Sequence, residues 1–197
     1  MPSSTSSPRG AVFFDRDGVL NLDFGYSYKL ESLQLLDQVP QALIKLQEAG
    51  FLLFIITNQS GVARGLYSLE DVHTFNNGLK KAIHAVEPQV TFSEILICPH
   101  HPDGSVSPYN VMCDCRKPAT KLILDSKDRF KLDLSQSWLI GDKDSDVECA
   151  HRSGMRAIQM TQGGKQYPLH GHADAQYQSL IDAANHIIST SDLSMKK

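Results

Sequence analysis

Short apolar runs alternate along the chain with longer stretches in which apolar side chains recur every three or four positions. Ala11, Val12, Phe13 and Phe14 form one run, and Phe51 to Ile56 forms another without a polar interruption. A strand with one wet face would alternate apolar and polar residues, so such runs predict strands covered on both faces. Further short strands are predicted at 92–97, 137–140 and 156–160, with a last strand and helix within 173–189. Helical spacing fills the gaps. Val39, Leu43 and Leu46 share a face around Pro40, and Gly50 ends that helix. Ser68 and Asp71 approximate a capping box ahead of Val72, Phe75, Leu79 and Ile83. A third helix is predicted over 120–130, and a short fourth one passes through Val147 and Ala150 and stops at Gly154.

Strands that alternate with helices in this way require right-handed crossovers, hence a mainly parallel sheet with helices on both faces: an α/β, Rossmann-like three-layer sandwich. Residues 11–190 form one domain in this scheme. Residues 1–10, rich in Ser and Pro, are expected to be a disordered tail, and 191–197 a flexible C-terminus. Three segments carry no sustained period and read as loops: 21–36, 59–66 and 98–115. His170 and His172 fall in a Gly-containing stretch and are expected to be exposed.

The predicted strands end in polar clusters: Asp15 with Asp17, Thr57 with Asn58, and Asp142 with Lys143. One such ending is an ordinary turn, since Asp and Gly favour turns. Three of them at the carboxyl ends of one parallel sheet converge on the crevice where α/β proteins bind ligands. Carboxylates with few other ligands suit Mg²⁺, while a Thr hydroxyl, Lys117 and Lys143 suit phosphate oxygens. Phosphate monoester hydrolysis needs accelerations up to about 10²¹, whereas acid–base catalysis alone supplies typically ~10² to 10⁴. Such a site therefore needs a nucleophile, a metal and cationic stabilisation together.

Composition adds limits to this picture. With 197 residues, 41 % of them hydrophobic, and a net charge of -3, the chain has an ordinary globular composition and no basic stripe for nucleic acid. No apolar run approaches the roughly 20 residues that cross a bilayer, and 1–10 has no apolar signal core, so no membrane partner and a cytoplasmic location are expected. Cys98, Cys113 and Cys115 cluster with His100 and His101, and 14 residues separate Cys98 from Cys113. A Cys₃His set suits four-coordinate structural zinc, with either histidine able to complete it. Because the loop ends in Arg116 and Lys117, zinc would fix the frame from which two cations project. Cys149 stands apart and reads as a small buried hydrophobe.

Asp15-x-Asp17-Gly18, Thr57-Asn58, Lys117 and Gly141-Asp142 resemble, in order, the four motifs of the haloacid dehalogenase (HAD) superfamily of phosphatases. The resemblance implies a central nucleophile strand, Asp15 as nucleophile and Asp17 as the acid and base. It implies Thr57 and Lys117 as phosphoryl stabilisers, and Mg²⁺ on the Asp15 carboxylate, the Asp17 main-chain carbonyl and Asp142. It selects Cys98, His100, Cys113 and Cys115 for zinc. No insertion is long enough for a separate cap domain. Asp146 would cap a helix or orient a lysine, and Arg16 falls outside the chemistry.

Longer stretches, among them Asp15 to Asn21, Asp23 to Tyr26, Thr57 to Gly65 and Cys113 to Pro118, resemble the heptose bisphosphate phosphatase branch, with histidinol-phosphate phosphatases as near relatives. Pro118 to Leu122 and Phe24 depart from the heptose pattern. This likeness implies removal of the 7-phosphate from a small phosphorylated sugar, and a monomer is expected. Asp23, Phe24, Gly25, Tyr26, Asn58, Gln59, Ser60, Arg116 and Lys143 would contact substrate. A zinc protein that holds a phosphorylated ligand without turnover is the rival class, and it leaves Asp15 and Asp17 without a role.

Overall fold

The structure, a computed structural model, describes residues 9–161 and 173–194. Six strands form one sheet in the order β3-β2-β1-β4-β5-β6. They are β1 (Ala11–Phe14), β2 (Leu52–Asn58), β3 (Glu94–Cys98), β4 (Trp138–Gly141), β5 (Arg156–Met160) and β6 (Ala175–Tyr177). Every pairing is parallel, with Phe14 opposite Ile55 on one side and Ile140 on the other. Six helices accompany them: α1 (Val39–Glu48), α2 (Ser60–Ala63), α3 (Leu69–His84), α4 (Lys121–Phe130), α5 (Asp144–Arg152) and α6 (Leu180–Ser194). Ser68 and Asp71 form the expected capping box on α3, and Gly50 (φ +94°) follows α1.

The pleat of β1 explains its unbroken apolar sequence. Val12 and Phe14 join Leu53, Ile55 and Ile140 in a core closed by Leu43 and Leu46 of α1, Leu79 and Ile83 of α3 and Ile187 of α6. Ala11 and Phe13 point the other way, into a core with Phe54, Leu139, Ile123 of α4 and Val147 and Ala150 of α5. Phe13 stacks on Phe54 with 4.7 Å between ring centroids. All four side chains of β1 are fully buried, each large one contributing about 1.5 to 3 kcal/mol of transfer free energy. The sheet order reverses at β1: the chain passes to β2 and β3 on one side, then crosses to β4 on the other. The crevice beyond the carboxyl ends of β1 and β4 is thus the topological switch point.

Several boundaries differ from the sequence expectation. β2 runs from Leu52 through Asn58 and not over 51–56, with Thr57 and Asn58 as its expected polar end. The 59–66 segment contains one helical turn, α2, because Val62 and Ala63 are buried and pull it against the body. A 3₁₀ turn at Leu30–Ser32 interrupts the 21–36 loop. Arg9 bridges to Leu132 and accepts from Asp133 N (3.1 Å), so the described chain is already tied down at 9. The last helix continues to Ser194. Residues 1–8, and His170 and His172, lie outside the described residues. Among the described residues no helix is long and apolar enough to cross a membrane.

Candidate active site

One residue beyond β1, Asp15 N still donates to Ile140 O (2.8 Å), so the first acid leaves the sheet in register with β4. The chain then turns sharply around Arg16 O, which accepts from Leu20 N at 2.9 Å and Asn21 N at 3.2 Å. Gly18 makes the turn possible. Its φ is +83°, and a Cβ there would lie 2.6 Å from Asp142 Oδ2 at the end of β4.

Lys117 fills the space between the strand ends. Its Nζ lies 3.0 Å from Asp15 Oδ1 and 2.6 Å from Asp146 Oδ1, and donates to Ile56 O at 2.9 Å. Burial opposes the charge on this ammonium, but Asp146 and Asp15 outweigh it and hold its pKa above the usual lysine value. Asp146, in the first turn of α5, also accepts from Lys143 N (3.1 Å), and only a glycine at 141 leaves room for its side chain. It is thus a lysine-orienting group, as its spacing predicts. Asn58 secures the same lysine from the other side: its Nδ2 donates to Lys117 O and its Oδ1 accepts from Lys117 N, both at 3.1 Å.

Asp17 is held by a different set. Arg16 donates to both its oxygens (Nε to Oδ1 3.2 Å, Nη2 to Oδ2 2.9 Å), Asn21 Nδ2 donates to Oδ1 at 2.9 Å, and Gln59 Nε2 donates to Oδ2 at 3.0 Å. Gln59 also reaches Thr57 Oγ1 (2.7 Å), and Tyr67 donates its hydroxyl to Gln59 Oε1 (2.7 Å). Burial pushes Tyr67 up to about 12, so it stays a donor at neutral pH.

These groups line one cleft of about 330 Å³. Asp15, Asp17, Thr57 and Lys117 all face it, as do Asp23, Gly25, Tyr26, Asn58, Gln59, Ser60, Arg116 and Lys143. Phe24 is not among the lining residues and is 60 % exposed, because its loop turns it outward between Asp23 and Gly25. Arg16, Asn21 and Tyr67 were not expected to take part. A sequence signal existed only for Arg16, a cation set between two acids.

Asp142 lies against Gly18, and its buried Oδ1 accepts no hydrogen bond. Burial raises it to about 7; Lys143 works against this, while Asp15, Asp146 and Asp23 add to it. Carboxylate oxygens of Asp15, Asp142 and Asp146 lie within 4.8 Å of one another. An oxygen cluster whose buried Asp142 Oδ1 accepts no hydrogen bond and has only the Lys143 ammonium near it, at 3.7 Å, fits a hard divalent cation such as Mg²⁺. Asp146 has both oxygens engaged, Oδ1 by Lys117 Nζ and Oδ2 by Lys143 N, whereas the contacts of Asp15 with Lys117 Nζ and Arg16 N fall on its Oδ1 alone, so Asp15 Oδ2 and the Asp142 carboxylate are the oxygens open to a cation.

The zinc-type cluster starts at the end of β3. Cys98 Sγ lies 3.2 Å from Cys115 Sγ and 3.6 Å from Cys113 Sγ, and His100 Nδ1 lies 3.3 Å from Cys115 Sγ and 3.9 Å from Cys98 Sγ. Zinc–sulfur bonds of about 2.3 Å in a tetrahedron imply roughly 3.8 Å between sulfurs, so the four atoms need only a small expansion to accept the ion. Burial and the neighbouring thiols raise the Cys98 thiol above its usual range, a state that a bound cation would reverse. The ring of His101 instead faces Arg64 Nη2 (3.2 Å) and Asp103, so His100 is the histidine that sits with the three thiols and could complete a metal site. Cys149 is buried, with its thiol 3.3 Å from Ala119 O.

Comparison with known proteins agrees with this arrangement. A HAD-hydrolase-like family model matches residues 114–187. The chain is 34 % identical over 174 residues to D-glycero-beta-D-manno-heptose-1,7-bisphosphate 7-phosphatase of Yersinia pestis, covering 87 % of this chain and 92 % of that one. It is 34 % identical over 155 residues to the protein of the same name in Escherichia coli K12, covering 79 % and 80 %. Among solved structures, the D,D-heptose 1,7-bisphosphate phosphatase of B. bronchiseptica complexed with magnesium and phosphate superposes with a TM-score of 0.79 at 25 % identity, covering 92 % of this chain and 99 % of that one. The chain belongs to the HAD-like hydrolases, in the family that contains these heptose bisphosphate phosphatases.

Proposed function

We propose that this chain removes the 7-phosphate from D-glycero-D-manno-heptose 1,7-bisphosphate through an aspartyl-phosphate on Asp15. The observation that supports the reaction class best is the buried Lys117 ammonium held between Asp15 and Asp146 at the head of a cleft that Asp17 and Thr57 also line. The names of the relatives support the substrate.

In the first half-reaction a carboxylate oxygen of Asp15 bonds to phosphorus as the ester P–O bond breaks, and Asp17 gives its proton to the leaving sugar oxygen. Water then attacks the aspartyl-phosphate, its proton passing to Asp17, and phosphate leaves with Asp15 regenerated. Lys117 and the Thr57 hydroxyl stabilise the phosphoryl oxygens in both steps. Mg²⁺, held by Asp15, Asp142 and the Asp17 main-chain carbonyl, supplies charge neutralisation at those oxygens when bound. Zinc on Cys98, His100, Cys113 and Cys115 orders the loop that ends in Arg116 and Lys117. Asp23, Gly25, Tyr26, Gln59, Ser60, Arg116 and Lys143 hold the sugar and its second phosphate. The enzyme works as a monomer in the cytoplasm.

Phosphate release with Mg²⁺ tests this assignment, with the bisphosphate and histidinol phosphate compared by kcat/KM. A higher value for the bisphosphate is expected. A higher value for histidinol phosphate reassigns the substrate, and no release from any phosphomonoester removes the reaction itself.

A further inference from the structure

Arg16 is the only buried arginine among the described residues, and it is fully buried. The mechanism above makes no use of it. A guanidinium out of water is costly unless its donors are met. Here Nε and Nη2 grip the two oxygens of Asp17, Nη2 also donates to Ser27 O at 2.6 Å, and Nη1 donates to Asn76 Oδ1 at 3.0 Å. The group lies over the Phe75 ring, with Cζ 4.4 Å from the centroid.

These partners belong to three parts of the molecule. Asp17 is on the turn after β1. Phe75 and Asn76 are on α3, with Phe75 fully buried. Ser27 ends the segment that presents Asp23, Gly25 and Tyr26 to the cleft. Stability alone does not explain the arrangement, because apolar replacement of a buried ion pair is often neutral or stabilising. A two-point fork does something an apolar side chain cannot: it fixes both the position and the plane of a carboxylate.

We infer that Arg16 is a positioning residue that fixes the Asp17 carboxylate against α3 and against the substrate loop, and so sets the geometry of proton delivery to the leaving group. This rests on the role proposed for Asp17. It excludes Arg16 from contact with phosphate, since its hydrogen bonds run to Asp17, Ser27 and Asn76.

Leaving-group dependence separates positioning from simple structural support. In the phosphorylation step, which kcat/KM reports, an alkyl phosphate needs a proton on its leaving oxygen and 4-nitrophenyl phosphate does not. Arg16→Lys keeps the charge and loses the fork. It is expected to lower kcat/KM about 30- to 100-fold on the alkyl substrate, a fraction of the ~10² to 10⁴ that a placed acid supplies, and less than about 3-fold on 4-nitrophenyl phosphate. Equal losses on the two substrates, or no loss on either, would overturn the inference. Asn76→Ser leaves Arg16 in place and removes one tether, so it serves where Arg16→Lys does not fold. It should show the same contrast at about 3- to 10-fold, and equal or absent losses there count against the inference in the same way. Wild type inactive on both substrates would overturn the proposed reaction, and the inference with it; an active wild type with equal losses in the variants overturns the inference alone.

Discussion

Asp15 and Asp142 come to the site from one wall, and Arg116 and Lys117 from another that is built differently. Asp15 and Asp142 stand one residue beyond β1 and β4, whose side chains are buried on both faces, so their positions follow from the hydrophobic core. Arg116 and Lys117 stand at the end of a long segment, 99–115, that has little core of its own. Met112 is 81 % exposed, and Val111 is exposed beside it. That wall is held by the cysteine–histidine cluster, by Asn58 on the Lys117 peptide, and by Gln59 N donating to Cys98 O at 2.7 Å. The acidic wall thus takes its positions from the hydrophobic core. The cationic wall carries a cysteine–histidine set that could hold zinc, an ion whose binding contributes about 10 to 16 kcal/mol in small zinc peptides.

The contrast can be tested one wall at a time. The largest effect on activity is expected from Asp15→Asn, which removes the proposed nucleophile: phosphate release should fall by at least about 10⁴-fold with the far-UV circular dichroism retained. Cys113→Ser should lower kcat by roughly 10²-fold, because misplacing a positioning group by about 1 Å has that effect, while far-UV circular dichroism of the sheet body is retained. A verified zinc-free variant with full activity would erase the distinction between the walls. Asn58→Ala removes both hydrogen bonds to the Lys117 peptide and should lower kcat about 10-fold, with a stability loss on the order of 1 to 3 kcal/mol by denaturant titration. Phe24→Ala should change KM by no more than about 3-fold, since an exposed side chain outside the cleft lining has little to lose.

The two walls were also unequally legible in the sequence. Continuous apolar runs such as 51–56 occur where a strand is covered twice, so the parallel sheet could be read directly, and the acids at strand ends followed from it. The three cysteines were legible through their spacing and chemistry, which left His100 and His101 as alternatives until the family resemblance selected His100. What could not be read was anything that depends on distant pairing. Arg16 looked like a bystander between two acids because its partners Phe75 and Asn76 lie about 60 residues away on α3. Asn58 was expected to touch substrate and does line the cleft; its second engagement, with the backbone of Lys117 59 positions on, carries no signal in the sequence. The turn of helix at Ser60–Ala63 was missed because four residues with a glycine carry no helical period; burial of Val62 and Ala63 makes it.

Lys117 has one further consequence, for how substitutions there must be interpreted. Its ammonium serves Asp15, Asp146 and the carbonyl of Ile56 at once. Removing it leaves two nearly enclosed carboxylates facing each other with no counter-ion between them, and a carbonyl of β2 without its donor. The loss measured for Lys117→Ala would therefore mix electrostatic repulsion and misfolding with any effect on turnover. A double-mutant cycle with Asp146→Asn separates these contributions, because it relieves the repulsion without restoring the cation.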